Sequence, residues 1–190
     1  MFNFIIFGSP GSGKGTQSIK IAEKYNLAHI STGDIFRKNI KEKTELGLKV
    51  QSIIERGDLV PDELLIDILD NAMNQYENVK GFVFDGFPRT CQQAKDFDVL
   101  LNKKKESISL VLALEVNDDE IIGRLLKRAE KEGRKDDTKD VITNRIGIYN
   151  KQTQPLIDFY KKKDLFTSVV GIGGIDDIFG SICAEIEKHL

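Results

Sequence analysis

The stretch FNFIIFGSPGSGKGT, residues 2–16, decides the fold of this chain. Its first half, residues 2–7, is short and almost wholly apolar, as expected of a strand buried on both faces of a parallel sheet. Its second half sets Gly8, Gly13 and Lys14 in the spacing G-x-x-x-x-G-K, and a helical stretch begins near Lys14. Strand, glycine loop and helix in that order make a phosphate-binding loop. The glycines let backbone N–H groups turn inward, the helix start adds its positive end, and Lys14 reaches the outer phosphates. Gly11, Ser12, Gly13, Lys14, Gly15 and Thr16 are therefore the candidate contacts to a nucleoside triphosphate. Where the pattern usually carries a hydroxyl directly after the lysine, this chain has Gly15, and the hydroxyl follows at Thr16. A Mg²⁺ ion on the phosphates is thus expected to be held more through water and phosphate oxygens than by a direct hydroxyl ligand.

Working outward, apolar runs recur at residues 27–31, 81–85, 109–116 and 165–171, with helix-period stretches between them. Alternation of this kind predicts an α/β fold with a five-stranded parallel sheet and right-handed crossovers, the three-layer arrangement of P-loop nucleoside triphosphate hydrolases. The run 81–85, GFVFD, ends in Asp85, which places an acid beside the loop, where it can hold Mg²⁺ or its waters. Residues 62–76 read as a helix, with Leu64, Leu65, Ile68, Leu69, Ala72, Met73 and Tyr76 on one face and Pro61 at its start. A second stripe, Ile178, Phe179, Ile182, Cys183 and Ile186, makes Cys183 a core residue. Two stretches interrupt the alternation: 34–61, two helices without a strand, and 129–140, charged and nearly free of apolar residues. Both read as inserts over the sheet's edge.

With 190 residues, 40% hydrophobic and 31% charged, the chain suits one soluble domain. Its net charge of −2 gives no broad field for nucleic acid or an anionic membrane, so an anionic ligand needs a local cluster of cations. Neither is expected as a partner. The apolar run 2–7 is too short for a membrane span or a signal segment. Cys91 and Cys183 have no ligand-spaced neighbours and read as free thiols in a reducing compartment, so a cytoplasmic protein is expected.

The arginines supply the missing cluster. Arg124 and Arg128 are spaced i, i+4 on a helix opening at Asp118, and are read as lying opposite Ile121, Ile122, Leu125 and Leu126. Arg134 follows in the charged insert, and Arg145 lies on the next helix. Any one alone would be read as a surface ion pair. Together they suit a lid that gathers phosphate charge and excludes water.

At these positions the chain resembles the adenylate kinases, a family of nucleoside monophosphate kinases. The resemblance rests on GSPGSGKGTQ from Gly8, STGDIFR from Ser31, GDLVPDE from Gly57, DGFPRT from Asp85, the Arg124/Arg128 pair, GRKDD from Gly133 and QTQPLIDFY from Gln152. It implies one P-loop kinase domain over residues 1–190, with a helical NMP-binding insert at about 31–60 and a short lid at about 127–137. It implies an AMP site of Thr32, Arg37, Asp58, Leu59, Val60, Gly86, Phe87, Pro88, Arg89 and Gln93, with Arg134 and Arg145 reaching across to the phosphates. On the ATP side it adds Arg124, Arg128 and Gly173 to the loop. Lys14, Arg89, Arg128, Arg134 and Arg145 become the catalytic cations, with Asp136 and Asp137 tying the lid down. The expected chemistry is reversible, Mg²⁺-dependent transfer between ATP and AMP giving two ADP, in a monomer. A chain with two cysteines cannot form a zinc lid of four.

Two other readings compete. A kinase for UMP and CMP would share the fold, but its relatives carry an alanine-like residue where this chain has Thr32 and Asn where it has Gln93. A P-loop switch that hydrolyses nucleotide slowly would need no second nucleotide site, which leaves Arg37, Arg89 and Gln93 unexplained.

Overall fold

A computed structural model describes residues 1–134 and 136–190. The first strand, β1 (Phe2–Gly8), alternates its side chains between two apolar layers although nearly every residue is buried. Phe4 and Ile6 face one layer with α1 (Lys14–Tyr25) and α9 (Ile175–Ile186). Ile5 and Phe7 face the other, with α2 (Thr32–Lys41), α3 (Glu45–Glu55), α4 (Asp62–Met73), α5 (Cys91–Lys103) and α8 (Pro155–Lys161). The sheet between them is completed by β2 (Ala28–Ser31), β3 (Gly81–Asp85), β4 (Leu110–Glu115) and β5 (Phe166–Val170), in the order β2-β3-β1-β4-β5. Every pairing is parallel, Phe4 matching Val83 on one side and Leu110 on the other.

That order explains where a ligand can sit. From β1 the chain crosses to β2 on one flank, returns through β3, and then builds β4 and β5 on the other flank. The carboxyl end of β1 therefore lies where the strand order reverses, and a crevice opens there between loops that leave in opposite directions. The phosphate loop and Asp85 both emerge at this end.

All five expected strands are present, with ends shifted by a residue or so. The two inserted helices are α2 and α3, capped by Ser31, whose hydroxyl accepts from the Asp34 N–H, and Thr44, whose hydroxyl accepts from the Gly47 N–H. Other expectations need correction. The helix read over 62–76 stops at Met73, and Tyr76 lies beyond it, 44% exposed, its ring edge-on to Phe82. Within the charged stretch 129–140, α6 (Asp118–Glu132) runs through the first part, and α7 (Lys139–Ile148) starts near the end. Lys135, within the expected lid and the GRKDD motif, lies outside the described residues. Nor do Arg124 and Arg128 leave the face opposite the apolar stripe. Residues three apart on a helix differ by only about 60° in direction, so the arginines flank buried Ile121 and Leu125, while Leu126 is 41% exposed.

Candidate active site

The glycines of the phosphate loop answer two local demands. Gly13 caps α1 in the left-handed conformation at φ +92°, and no side chain caps that helix among the described residues, so its first N–H groups face the cleft. Gly11 lies under α6: a Cβ there would sit 2.8 Å from Leu125 Cγ and 3.1 Å from the Ile121 carbonyl oxygen. The same contact brings Arg124 over the loop, where Nη1 donates to the Ser12 carbonyl at 3.2 Å and Nε to Glu120 at 2.8 Å. Ser12 itself is buried. Thr16 is exposed at the cleft.

Lys14 Nζ donates to the Ser9 carbonyl at 3.2 Å, closing the loop on itself. Burial lowers its ammonium to about 8; Asp85 opposes the shift, and Arg89, Arg145 and Arg128 add to it. Asp85 ends β3, is 8% exposed, and lies 3.4 Å from the position a Gly15 Cβ would take. Its contact with His29 Nε2, at 3.7 Å, is too long for a hydrogen bond. The carboxylate oxygens therefore remain available to a hydrated cation, and the donor set fits Mg²⁺.

On the other side of β1, the β2–α2 junction places Thr32, whose hydroxyl donates to the Gly86 carbonyl at 3.0 Å. Arg37, one turn on, donates to Asp34 at 2.5 Å. The turn after β3 brings Arg89 back, with Nε donating to the same Gly86 carbonyl at 2.7 Å. Burial, with Arg145 beside it, lowers the Arg89 guanidinium to about 10, which leaves it charged at neutral pH. Phe87 is 1% exposed and packs edge-on against Phe97, so only its backbone can serve a ligand. Gln93 Nε2 donates to Asp62 at 2.6 Å, and its Oε1 accepts from the Arg89 N–H at 2.7 Å.

The arginines of α6 and α7 are already paired. Arg128 makes a fork to Asp137 at 2.6 and 2.7 Å, and Arg145 Nη1 reaches Asp136 at 2.9 Å and Asp137 at 3.0 Å. Burial is the largest influence on Arg128 and disfavours its charge, but the Asp137 hydrogen bonds and the charges of Asp137, Asp136 and Glu132 together raise its pKa; at Arg145 burial prevails and lowers it. Arg134 donates to Glu132 at 2.7 Å.

These residues enclose three adjoining spaces. A cleft of about 1750 Å³ is lined by Gly11, Gly13, Lys14, Gly15, Thr16, Asp85, Arg124, Arg128 and Arg134. A second cavity, of about 540 Å³, is lined by Thr32, Arg37, Asp58, Leu59, Val60 and Gln93. A third, of about 490 Å³, lies between Pro10, Lys14, Leu59, Pro88 and Tyr149. Gly86, Arg89 and Arg145 border all three. Gly173 lines none of them; it sits between β5 and α9, whose first residue, Ile175, accepts from Gln17 Nε2 of α1 at 3.0 Å through its carbonyl.

Two anion-seeking spaces with shared guanidinium groups at their border suit a reaction between two phosphorylated ligands. The model of the family described as adenylate kinase matches residues 6–165. The chain belongs to the adenylate kinase family. Curated adenylate kinases agree along the whole length. The protein of that name from Bacteroides thetaiotaomicron is 47% identical over 99% of this chain and 100% of its own. Those from Flavobacterium psychrophilum and Leifsonia xyli are 46% and 42% identical, covering 94% and 97% of this chain and 94% and 93% of theirs. As a member of the adenylate kinase family the chain is a phosphotransferase.

Reading the sequence missed some residues of the site. Asp62, the first residue of the helix read over 62–76, holds the Gln93 amide. Thr153, on the π-helical turn Tyr149–Thr153, donates to the Arg89 carbonyl at 2.9 Å. Both lie within stretches that carry the family resemblance, GDLVPDE and QTQPLIDFY, but the sequence alone gives them no role, because each acts on a residue distant in the chain. A one-residue bulge in a helix is common at functional sites, but nothing in the composition YNKQT announces it.

Proposed function

We propose that this chain catalyses reversible transfer of the terminal phosphoryl group of ATP to AMP, giving two ADP. The observation that carries the reading is the border shared by the two spaces, which Arg89 and Arg145 both line. ATP would lie along the phosphate loop, its outer phosphates on Lys14 and the N–H groups of α1, with Arg124 flanking the base and Gly173 beside it. AMP would occupy the second cavity, its phosphate between Arg37 and Arg89 and its base near Thr32, the 58–60 backbone and Gln93. Bound Mg²⁺, held near Asp85 through water, would neutralise charge on the donor oxygens.

The chain's own task is then alignment and charge. A phosphate monoester has its second pKa near ~6, so the acceptor is already an anion at neutral pH and needs no general base. Lys14, Arg89, Arg128, Arg134 and Arg145 surround the path of the transferring group and stabilise its equatorial oxygens. Arg128 and Arg145, held by Asp136 and Asp137, are oriented before any nucleotide arrives. Closing residues 127–137 and the 31–60 insert over the ligands would exclude water, which competes as acceptor. One chain carries both halves of the site, so a monomer suffices, and adenine nucleotides of the cytoplasm are the substrates in this reading.

The test is a steady-state panel of AMP, CMP and UMP against MgATP, with phosphate release from MgATP alone measured beside it. ADP formation from ATP plus AMP should exceed phosphate release, and kcat/KM should be highest for AMP. A higher value for CMP or UMP would reassign the acceptor, and phosphate release matching ADP formation would remove the transfer reaction.

A further inference from the structure

Gln93 is 1% exposed, and both ends of its amide are held. An amide's orientation is ordinarily ambiguous, since its oxygen and nitrogen look alike. Here the partners decide it. The Asp62 carboxylate, 2.6 Å from Nε2, can only accept, and the Arg89 peptide N–H, 2.7 Å from Oε1, can only donate. Turning the amide over would set two acceptors against each other at one end and two donors at the other. Among the described residues, one hydrogen on Nε2 and one lone pair on Oε1 remain unused on a side chain that borders the acceptor cavity. Helix geometry alone does not demand a carboxylate at Asp62. It is the first residue of α4, and Glu63 beside it already complements the positive end of that helix.

We propose that Asp62 is a positioning residue which fixes the polarity of the Gln93 amide and so makes the acceptor site select a 6-amino purine over a 6-oxo purine. The inference rests on the reading of AMP as acceptor. Adenine presents an amino donor beside a ring-nitrogen acceptor, whereas hypoxanthine presents a carbonyl acceptor beside an N–H donor. An amide free to turn over pairs with either base, and a pinned amide pairs with one. The rejected base then leaves buried polar groups facing like partners, the arrangement that discriminates most strongly between analogues. Thr90 also reaches Asp62, at 3.5 Å, so the carboxylate joins the starts of α4 and α5 across the cavity wall.

The experiment compares kcat/KM for AMP and for IMP, at saturating MgATP, in the native chain and in Asp62→Asn, Asp62→Ser and Glu63→Gln. Asn and Ser can each donate as well as accept, so both release the amide, and Ser retains a good helix-start residue. The AMP:IMP ratio should fall on the order of tenfold or more in both Asp62 variants, through the KM values with kcat for AMP largely kept, and should stay unchanged in Glu63→Gln. Because each ratio is measured on one preparation, a partly unfolded variant still reports it. An unchanged ratio in both Asp62 variants, with AMP still used, overturns the inference alone. An equal fall in Glu63→Gln overturns it too, by assigning the effect to helix-end charge. Failure of the native chain to phosphorylate AMP overturns the acceptor reading, and this inference with it.

Discussion

At the scale of single residues, the candidate site holds Lys14 close to several arginines, and Lys14 shows the consequence. Its ammonium titrates near 8 instead of the ordinary 10.5 because burial and three neighbouring arginines disfavour the charge more than Asp85 favours it. Polyphosphate bound on the loop favours the charged form, so binding raises that pKa. In the proposed complex, then, above about pH 8 the free protein has lost a proton that bound polyphosphate favours, and binding must take one up. ATP affinity should therefore be greatest below about pH 8 and fall as pH rises through it, while Lys14→Arg, charged throughout, should flatten the dependence. Calorimetric titration from pH 7 to 10 measures this, and a Kd that does not change across the range contradicts the account. Gln93 shows the limit of reading residues singly. Its type suggested pairing with a base, and the structure shows that half of its hydrogen-bonding capacity is already committed to Asp62 and Arg89.

At the scale of elements, the site is divided between a rigid sheet edge and helices that meet it from opposite flanks. The phosphate loop, Asp85 and the Gly86–Arg89 turn leave buried strands β1 and β3, whereas Arg37 sits on α2 and Arg128 and Arg145 on α6 and α7. The α6–α7 corner has its own small core of Ile121, Leu125 and Ile142, and its arginines are joined through Asp137, which is 1% exposed. A corner with so few buried apolar contacts can move as a unit, because little burial opposes its displacement. A bisubstrate analogue that bridges both cavities should thus slow amide hydrogen exchange in residues 34–61, 129–134 and 136–140, with the central strands little changed. Exchange at those segments that is the same with and without the analogue would remove closure from the mechanism. The sequence marked both regions by their break in the β–α alternation. In the second, α6 continues to Glu132 and α7 begins at Lys139, so much of the charge lies on helix surface.

At the scale of the whole molecule, two apolar layers clamp the sheet and keep the carboxyl ends of β1 and β3 in place. Leu112 of β4 is fully buried in the layer beneath α1 and α9. Leu112→Ala should cost ~2–5 kcal/mol of stability through lost burial and a residual cavity, with kcat per folded molecule preserved. Urea unfolding checks this, and a loss below about 1 kcal/mol would mean that the layer repacks around the gap. The sequence by itself determined the strands, the parallel sheet and the glycine loop that leads into the first helix. These follow from local rules: continuous apolar runs, glycines before a lysine, and the periodicity of helices. What it could not determine was which partners those groups meet. That Asp137 joins Arg128 to Arg145, that Arg89 borders both cavities and that Asp62 orients Gln93 depend on residues from separate elements coming together. Such contacts are set by how α4, α6 and α7 pack around the sheet, and packing direction is a property of three-dimensional shape that no single segment encodes.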